Sequence, residues 1–419
     1  MNKRRTVILG DEIDFLTGFP FESKKYSDDF NDIKLLRGDN IVQGTLRWDD
    51  VKRWPLAEKS SYQSFELQVD DVVLAMDRPW INAGLKFSAV SNDDLPCLLL
   101  QRTARMRGGK NLDTRYLKYI IGSPWFSKYI QKITTGSLVP HISSRQIKAF
   151  SCELPSLIEQ NKIAAVLNAI DTKIELNNRI NTELEAMAKT LYDYWFVQFD
   201  FPDANGKPFK TSGGKMVYNA ALKREIPDGW ISKNLSLITN ISNNSLNPAH
   251  TPDKEFKLFS IPVFDATNTY GIAFGRTIGS NKFTVEETDL LVSKLNPWFN
   301  RVVYAMDEDD QICSTEFVVW RSANISIKNF LYFIATSPQF ISHCTQSASG
   351  TSNSHKRVNP NVMMRFPQPF NNKVCEMFGQ IVDPILKQLF VNQQENTKLI
   401  TLRDYLLPML MNGQVTVTS

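Results

Sequence analysis

Residues 155–198 read PSLIEQNKIAAVLNAIDTKIELNNRINTELEAMAKTLYDYWFVQ, with no glycine and no proline after the first position. Apolar side chains recur mostly at steps of three or four, at Ile163, Val166, Ile170, Ile174, Ile180, Leu184, Met187, Leu191 and Tyr194. This spacing predicts one long helix with a single apolar face, and its second half is typical of a coiled-coil seam. Ser156 and Glu159 suit a capping box at its start. Asn177, Asn178 and Asn181 interrupt the stripe, so we expect the seam to be loosest there.

A second stripe covers residues 372–412. Its apolar positions are Val374, Met377, Ile381, Ile385, Leu389, Leu399, Leu402, Leu406 and Leu410. Asn371 or Asn372 can cap this helix, and Gly413 can close it. Pro384 and Pro408 lie inside the pattern and predict a kink or local unwinding. Each long helix needs a partner to cover its stripe, so the two are predicted to form an antiparallel coiled coil.

Short matches at a constant offset indicate an internal repeat. Four features recur 214 residues later: Ser123-Pro124 as Ser337-Pro338, Gly136 as Gly350, His141 as His355, and Pro155 as Pro369. The chain is therefore predicted to be a pseudo-twofold repeat of one unit, a globular module followed by a long helix. The predicted segments are a first module (1–154), a helix (155–198), a connector (199–230), a second module (231–369) and a helix with its tail (370–419). Short strand patterns beside helical ones favour a mixed α+β fold.

Composition and charge limit the possible functions. The 419 residues carry a formal net charge of +4. Because residues 151–198 hold four basic and seven acidic side chains, the positive surplus lies on the modules, which suggests a polyanionic ligand. The five cysteines show no paired or metal-ligand spacing, as is typical of reduced thiols in the cytoplasm. No apolar run is long enough to span a bilayer, and no signal peptide is recognised.

Basic segments rich in glycine and hydroxyl groups are the candidate DNA contacts. Residues 101–110, QRTARMRGGK, are predicted to form a DNA-contacting loop, with a solvated basic hairpin as the alternative. The candidates of the first module are Arg102, Arg105, Arg107, Lys110, Ser137, His141 and Arg145. Those of the second module are Lys294, Asn353, His355, Lys356 and Arg357. His141 and His355 have no nearby cysteine or second histidine, so no metal site is predicted.

Several motifs resemble the specificity subunit of type I restriction-modification systems. Residues 154–202, with the segment GKPFKTSGGKMVYNAALKREIPDGW that follows them, resemble its central conserved region, and LRDYLLPMLMNGQV (402–415) resembles its C-terminal one. In the second module SNKF, LVSKLNP, STEFVV and GTSNSHKRV resemble one class of the family's target-recognition domains. GFPFESKKY and LLRGDNIVQG in the first module resemble another class.

The resemblance implies a DNA reader that works with partners. Each module would be a target-recognition domain for one half of an asymmetric bipartite sequence, and the helix pair would fix the spacer. A rod of roughly 60 Å bounds that spacer at about 18 base pairs. Methyl transfer and cleavage would belong to modification subunits, two of them, and to restriction subunits, which would hold the S-adenosylmethionine, ATP and Mg²⁺.

This chain itself shows neither an N-P-P-Y-like methyltransferase motif nor a Walker A loop, so it is predicted to be non-catalytic and to hold no cofactor. Candidate docking residues for the partners are Tyr194, Trp195, Phe196, Leu406 and Leu410, although they could equally be the ends of the seam. The alternative function is a coiled-coil adaptor that joins proteins without binding DNA.

Overall fold

The computed structural model describes residues 4–81, 84–134, 140–350 and 355–417. The chain divides into two compact units. Unit 1 comprises Met1–Thr172 and Leu399–Ser419, and unit 2 comprises Lys173–Lys398. Each long helix therefore contributes one part to each unit.

Unit 1 is built from short strands followed by helices. Its strands are β1 (Arg5–Ile8), β2 (Ile13–Thr17), β3 (Ile33–Leu36), β4 (Lys52–Trp54), β5 (Val72–Ala75), β6 (Trp80–Ile81), β7 (Gly84–Leu85), β8 (Phe87–Ala89), β9 (Cys97–Leu99), β10 (Thr103–Gly108) and β11 (Ser151–Leu154). Its helices are α1 (Thr114–Ile121), α2 (Pro124–Thr134), α3 (Ser144–Lys148) and the first part of α4 (Leu157–Tyr192). A turn of π-helix, Asp193–Val197, extends α4.

Unit 2 follows the same plan. Its strands are β12 (Met216–Asn219), β13 (Arg224–Pro227), β14 (Ile231–Asn234), β15 (Asn240–Ser242), β16 (Ser245–Leu246), β17 (Glu255–Phe259), β18 (Gly271–Phe274), β19 (Lys282–Thr284), β20 (Asp289–Ser293), β21 (Val302–Tyr304), β22 (Gln311–Cys313), β23 (Phe317–Arg321) and β24 (Pro367–Phe370). Its helices are α5 (Ile261–Thr267), α6 (Ile325–Ala335), α7 (Pro338–Ser347), α8 (Pro360–Met363) and most of α9 (Asn372–Met411).

The four-stranded sheets of the two modules share one topology. Unit 1 has an antiparallel sheet in the order β2-β10-β5-β8, and unit 2 has the corresponding sheet β15-β23-β20-β21. A second sheet in each unit contains one parallel pair, β3 with β9 in unit 1 and β17 with β22 in unit 2. The strand before each long helix pairs with the first strand of its module, β11 with β1 and β24 with β14. The predicted mixed α+β fold and its internal repeat are confirmed.

The Ser-Pro repeat marks the same helix start in both units. Ser123 accepts a hydrogen bond on its hydroxyl from the Phe126 amide at 3.2 Å. Ser337 does the same for the Phe340 amide at 3.3 Å. Both phenylalanine rings are buried, so one capping residue and one core residue are retained in each copy.

In unit 1, an acidic side chain ties the long helices to the module. Asp171 on α4 accepts hydrogen bonds from Lys118 Nζ at 2.6 Å and from the Tyr119 hydroxyl at 2.8 Å, both on α1. Arg403 on α9 donates to the same carboxylate at 3.2 Å. Burial opposes the charged form of Asp171, but these partners, Lys118 foremost, outweigh it and hold the pKa of Asp171 below its usual value.

In unit 2, α4 and α9 meet through buried amides. Asn177 Nδ2 donates to Asn396 Oδ1 at 2.9 Å. Asn392 Nδ2 donates to Asn181 Oδ1, also at 2.9 Å. We call these four residues the amide cluster. Because the partner's number falls as the number on α4 rises, the helices run antiparallel, as predicted.

The amide cluster corrects the predicted seam. Asn177 and Asn181 are buried and hydrogen-bonded, so the expectation of loose packing there was wrong. The predicted stripe is only partly buried, since Ile180, Met187, Tyr194, Ile381 and Leu402 are exposed. The reason is that the C-terminal part of α4 packs on module helices as well as on α9. That contact uses Ala188 and Tyr192, which lie on a different face of α4 from the predicted stripe.

The sequence also led to predictions about the two ends of α9 and about its prolines. The Asn371 side chain caps the helix by accepting from the Val374 amide at 3.2 Å. Gly413 follows the last turn with a φ of +78°, as a closing glycine requires. The helix continues through Pro384 and Pro408, so local unwinding does not occur at either position.

Residues 199–230 attach to the core of unit 2. The strands β12 and β13 form a hairpin, and Phe199, Phe201, Ile226 and Trp230 are buried beside the module. No helix in the described ranges combines the length and apolar character needed to cross a membrane.

Candidate nucleic-acid interface

In unit 1, three segments meet beyond the end of strand β5. The Met76 amide donates to the Arg102 carbonyl at 2.9 Å, and the Ile142 amide donates to the Met76 carbonyl at 2.9 Å. The Arg78 amide donates to the Pro140 carbonyl at 2.7 Å. These bonds hold residues 76–78, Arg102 and residues 140–142 together, and we call this arrangement the unit 1 junction.

A half-buried carboxylate, Asp77, pairs with the charged side chains of the unit 1 junction. Asp77 accepts a hydrogen bond from Arg102 Nη1 at 2.8 Å, and its other oxygen lies 2.6 Å from His141 Nδ1. Burial opposes the charged form of Asp77, but the hydrogen bonds from His141 and Arg102 outweigh it and lower its pKa. Arg102 and His141, two candidates predicted from separate segments, thus contact the same carboxylate.

Unit 2 repeats the junction with the same main-chain bonds. The Lys294 amide donates to the Glu316 carbonyl at 3.0 Å, and the Val358 amide donates to the Lys294 carbonyl at 3.0 Å. The Asn296 amide donates to the Lys356 carbonyl at 2.8 Å. The unit 2 junction therefore consists of residues 294–296, Glu316 and residues 356–358, and it brings together Lys294, Lys356 and Arg357.

The charges of the unit 2 junction are arranged differently. Arg357 binds Glu316 with two hydrogen bonds, from Nε at 2.9 Å and from Nη2 at 3.0 Å. The hydrogen bond to Glu316 raises the pKa of Arg357. Lys294 and Lys356 form no ion pair with any acid in the described ranges. Exposed pairs such as Arg357–Glu316 add little stability, so an incoming anion can replace the carboxylate at low cost.

The two junctions align residue by residue, and this corrects one sequence match. Arg102 occupies the position of Glu316, and Asp77 that of Leu295. His141 occupies the position of Arg357, because each forms a bridge with the second residue after the strand, Asp77 or Leu295. The constant offset matched His141 with His355 instead, two residues too early. Equivalent positions therefore carry different side chains on the same backbone frame.

Most of the segment 101–110 is a strand and not the predicted loop. Residues 103–108 form β10, between β2 and β5 in the sheet, because alternate apolar residues there fill the core. Arg105 is 5% exposed and donates to Asp14 at 2.7 Å. Arg107 donates from Nη2 to Asp71 at 2.8 Å, and this hydrogen bond raises its pKa. Both arginines are engaged in ion pairs inside the module.

The other candidates lie apart from the junctions or outside the described ranges. Lys110 is exposed in the turn after β10, and Arg145 is exposed on α3. His355 is exposed directly before the unit 2 junction. Ser137 and Asn353 fall outside the described residues.

Most of the candidate docking residues are buried or half-buried, and one is exposed. Trp195 and Phe196 are buried in the core of unit 2, where Phe196 packs against Phe330 with ring centroids 4.8 Å apart. Leu410 is buried and Leu406 is half-buried in unit 1, whereas Tyr194 is exposed. The alternative, that these residues are the ends of the helix seam, fits the four buried or half-buried side chains.

Sequence reasoning missed three charged residues of the junctions: Asp77, Arg78 and Glu316. A usable signal was present. Arg78-Pro79-Trp80 recurs as Asn296-Pro297-Trp298, and both first residues have a positive φ, +44° and +47°. A Pro-Trp pair after a strongly apolar strand in each module marks the frame that the candidates share.

Comparisons with known proteins agree with this architecture. Residues 43–186 match the family model of the type I restriction modification DNA specificity domain. The type I restriction enzyme EcoAI specificity subunit of Escherichia coli is 32% identical over 183 residues, which are 43% of this chain and 30% of that protein. The MjaIX specificity subunit of Methanocaldococcus jannaschii is 26% identical over 323 residues, 73% of this chain and 69% of that protein.

A solved structure extends the likeness of fold. The crystal structure of the S subunit of a type I restriction-modification system from M. genitalium matches 100% of this chain and 97% of its own, with a TM-score of 0.64 at 13% identity. The sequence match to the E. coli subunit spans less than a third of that protein, whereas the fold match covers both chains. The chain is therefore similar in sequence, over part of its length, to specificity subunits of type I restriction-modification systems, and its fold over the whole length is similar to that of one solved S subunit.

Proposed function

We propose that the chain is the DNA-recognition subunit of a type I restriction-modification complex. Each module reads one half of an asymmetric bipartite target, and the antiparallel helices set the spacer between the halves. The observation that carries this proposal is the duplicated junction. One backbone frame occurs twice with different side chains, as expected of two readers that recognise different bases.

The chemistry of the junctions suits duplex DNA. Arginine can bind phosphates or the major-groove edge of guanine with two parallel hydrogen bonds, and lysine neutralises phosphates. In unit 2, Lys294 and Lys356 lie beside an exposed Arg357, with Glu316 as the one acid in the junction. The unit 1 junction offers Arg78 and Arg102 with one acid, Asp77. In both junctions the cationic side chains outnumber the acids, and this balance favours binding of a polyanion.

Catalysis belongs to partners in this proposal. The chain holds the duplex, while two modification subunits bind S-adenosylmethionine and methylate adenine, and restriction subunits use ATP and Mg²⁺ for cleavage. Adenine must leave the base stack to be methylated, so a reader that fixes the flanking base pairs keeps the target in register. Two copies of one unit offer equivalent docking positions to two modification subunits.

Electrophoretic mobility shifts of the purified chain with random-sequence duplexes at rising salt test the proposal. We expect binding that weakens steeply with salt, and Lys294→Ala and Lys356→Ala should each reduce the log–log slope by roughly 0.9 per lost phosphate contact. Lys207→Ala, in an exposed turn of the connector, is the matched control and should leave the slope unchanged. A protein adaptor would show no salt-sensitive binding. Methyl transfer by the chain alone would contradict the non-catalytic role.

A further inference from the structure

Each junction leads directly into an exposed apolar pair. In unit 2 the segment Pro297–Phe299 forms one turn of 3-10 helix. Pro297 is buried, but Trp298 is 38% exposed and Phe299 is 58% exposed. In most of the module, aromatic side chains pack inward, so two adjacent exposed rings require an explanation.

Unit 1 presents its own apolar pair at the equivalent position. Pro79 is buried, and Trp80 and Ile81 form β6, which pairs with β7. Trp80 is half-buried, and Ile81 is 41% exposed. We call Trp80 with Ile81, and Trp298 with Phe299, the apolar tips. The tips are retained in both copies although the charged residues of the junctions differ. This suggests a step common to both half-sites, distinct from the reading of sequence.

The backbone of the unit 2 tip is held in a fixed shape. Asn296 and Asn300 flank it with φ values of +47° and +48°, a left-handed conformation that asparagine tolerates better than most other non-glycine residues. The Arg301 guanidinium lies over the Phe299 ring, 4.5 Å from its centroid, and donates from Nη2 to Asp265 at 2.8 Å. A preorganised ring loses little entropy when it binds.

The charges around the unit 2 tip favour nucleic acid as the partner. Lys294 and Lys356 lie within the junction that supports Trp298 and Phe299, and no acid in the described ranges pairs with them. An apolar protein surface that covered the tip would strip water from these cations without compensation. A DNA duplex offers apolar base faces flanked by phosphates, which matches the arrangement of rings and ammonium groups.

We propose that the apolar tips insert against the base stack of the bound duplex, one tip in each half-site, and unstack a base step there. Side chains of this kind are able to act as wedges that open a step and bend the duplex. Because unstacking lowers the energy needed to extrude a base, the wedge would assist the partner that flips adenine. The inference rests on the proposed DNA-recognition function and adds a mechanical role to it.

The test uses the full-length chain and a duplex selected from a random pool by the wild-type chain. Phe299→Ala removes the more exposed ring of the unit 2 tip, Phe299→Trp restores an aromatic wedge, and Ile81→Ala tests unit 1. Phe274→Ala is the matched control, because Phe274 is 37% exposed and Arg276 lies 4.5 Å over its ring in the same unit, away from the junction. Dissociation constants are measured together with the fluorescence of 2-aminopurine placed at each adenine of the duplex in turn, since that base brightens when it is unstacked.

We expect Phe299→Ala to weaken binding roughly five- to hundredfold, the range for loss of one base-stacking contact. It should also abolish a 2-aminopurine signal confined to one step in one half-site, and Ile81→Ala should remove a separate signal in the other. Phe299→Trp should recover both affinity and signal, and Phe274→Ala should change neither.

Two failures can be told apart. If the wild-type chain selects no duplex, the proposed function fails and the wedge fails with it. If the wild-type chain binds but Phe299→Ala binds equally well and no base step brightens, only the wedge is refuted. Loss of binding that Phe299→Trp does not rescue, or that Phe274→Ala shares, would mark a general structural effect and also count against the wedge.

Discussion

Replacing one member of the amide cluster should destabilise unit 2 more than replacing two. Asn181→Leu removes the acceptor of the Asn392 amide, which is now bonded at 2.9 Å. Asn392 is 4% exposed, so its N–H group would be left buried without a partner, at a cost of about 1–3 kcal/mol. Asn181→Leu/Asn392→Leu removes both polar groups and should restore the free energy of unfolding to within about 0.5 kcal/mol of the wild type. If Asn392→Leu alone costs a similar amount, the coupling between the two positions is roughly 2–6 kcal/mol.

Hydrogen exchange of the α4 and α9 amides within unit 2 is the suitable assay, because a chain of two units need not unfold in one step. Thr182→Ala, at an exposed position on α4, is the control and should alter the free energy of opening by less than about 0.5 kcal/mol. The reasoning is refuted if the double variant is as unstable as the sum of the two single variants. That result would mean that each amide stabilises the helix pair independently. Supplying a hydrogen-bond partner to the other amide would then not be its only role.

Three further substitutions test other contacts. Asp171→Asn should destabilise unit 1 by about 2 kcal/mol at neutral pH. Because the pKa of Asp171 is lowered on folding, the wild type should lose this stability as the pH falls below about 4. The unfolding free energy of the variant should therefore depend less on pH in that range. Gly379→Ala should lower stability by about 2–3 kcal/mol in thermal unfolding, since the new methyl group would lie 2.0 Å from the Ser326 carbonyl oxygen, whereas alanine in an open helix stabilises. Burial lowers the pKa of Lys328 to about 7, so the folded wild type binds fewer protons than the unfolded chain between pH 7 and 10, and its stability should rise over that range. Lys328→Met should abolish this rise. Equal pH profiles of stability for variant and wild type would contradict the reasoning.

The long helices and the repeat could be predicted from the sequence because both follow from local periodicity and spacing. The predicted second helix, 372–412, differs from Asn372–Met411 by one residue. The inward face was less predictable, because each helix packs on a module as well as on its partner. The buried asparagines were misjudged for a related reason. Only the folded structure brings Asn177 and Asn181 to the level of Asn396 and Asn392.

The candidate site could be predicted only in part. The segments containing Arg102, His141 and Lys356 were recognised as basic, but residue type does not reveal which arginine points outward from a strand. Arg105 lies only three residues beyond Arg102 and is buried, because the chain enters β10 between them. The repeated Pro-Trp pair marks one segment of each junction. The junction itself depends on main-chain bonds to segments far apart in sequence, and the pair does not reveal which segments those are.

The central claim is that two different readers on paired helices recognise a split DNA target. Methylome sequencing of a host that carries this chain with its modification subunit tests it most directly. We predict methylated adenines in an asymmetric sequence of two specific halves separated by a nonspecific spacer of one fixed length. Replacing residues 231–369 with another second module should change one half and leave the other half and the spacer intact. Methylation of a single continuous short word, or of halves at variable separation, would contradict the account.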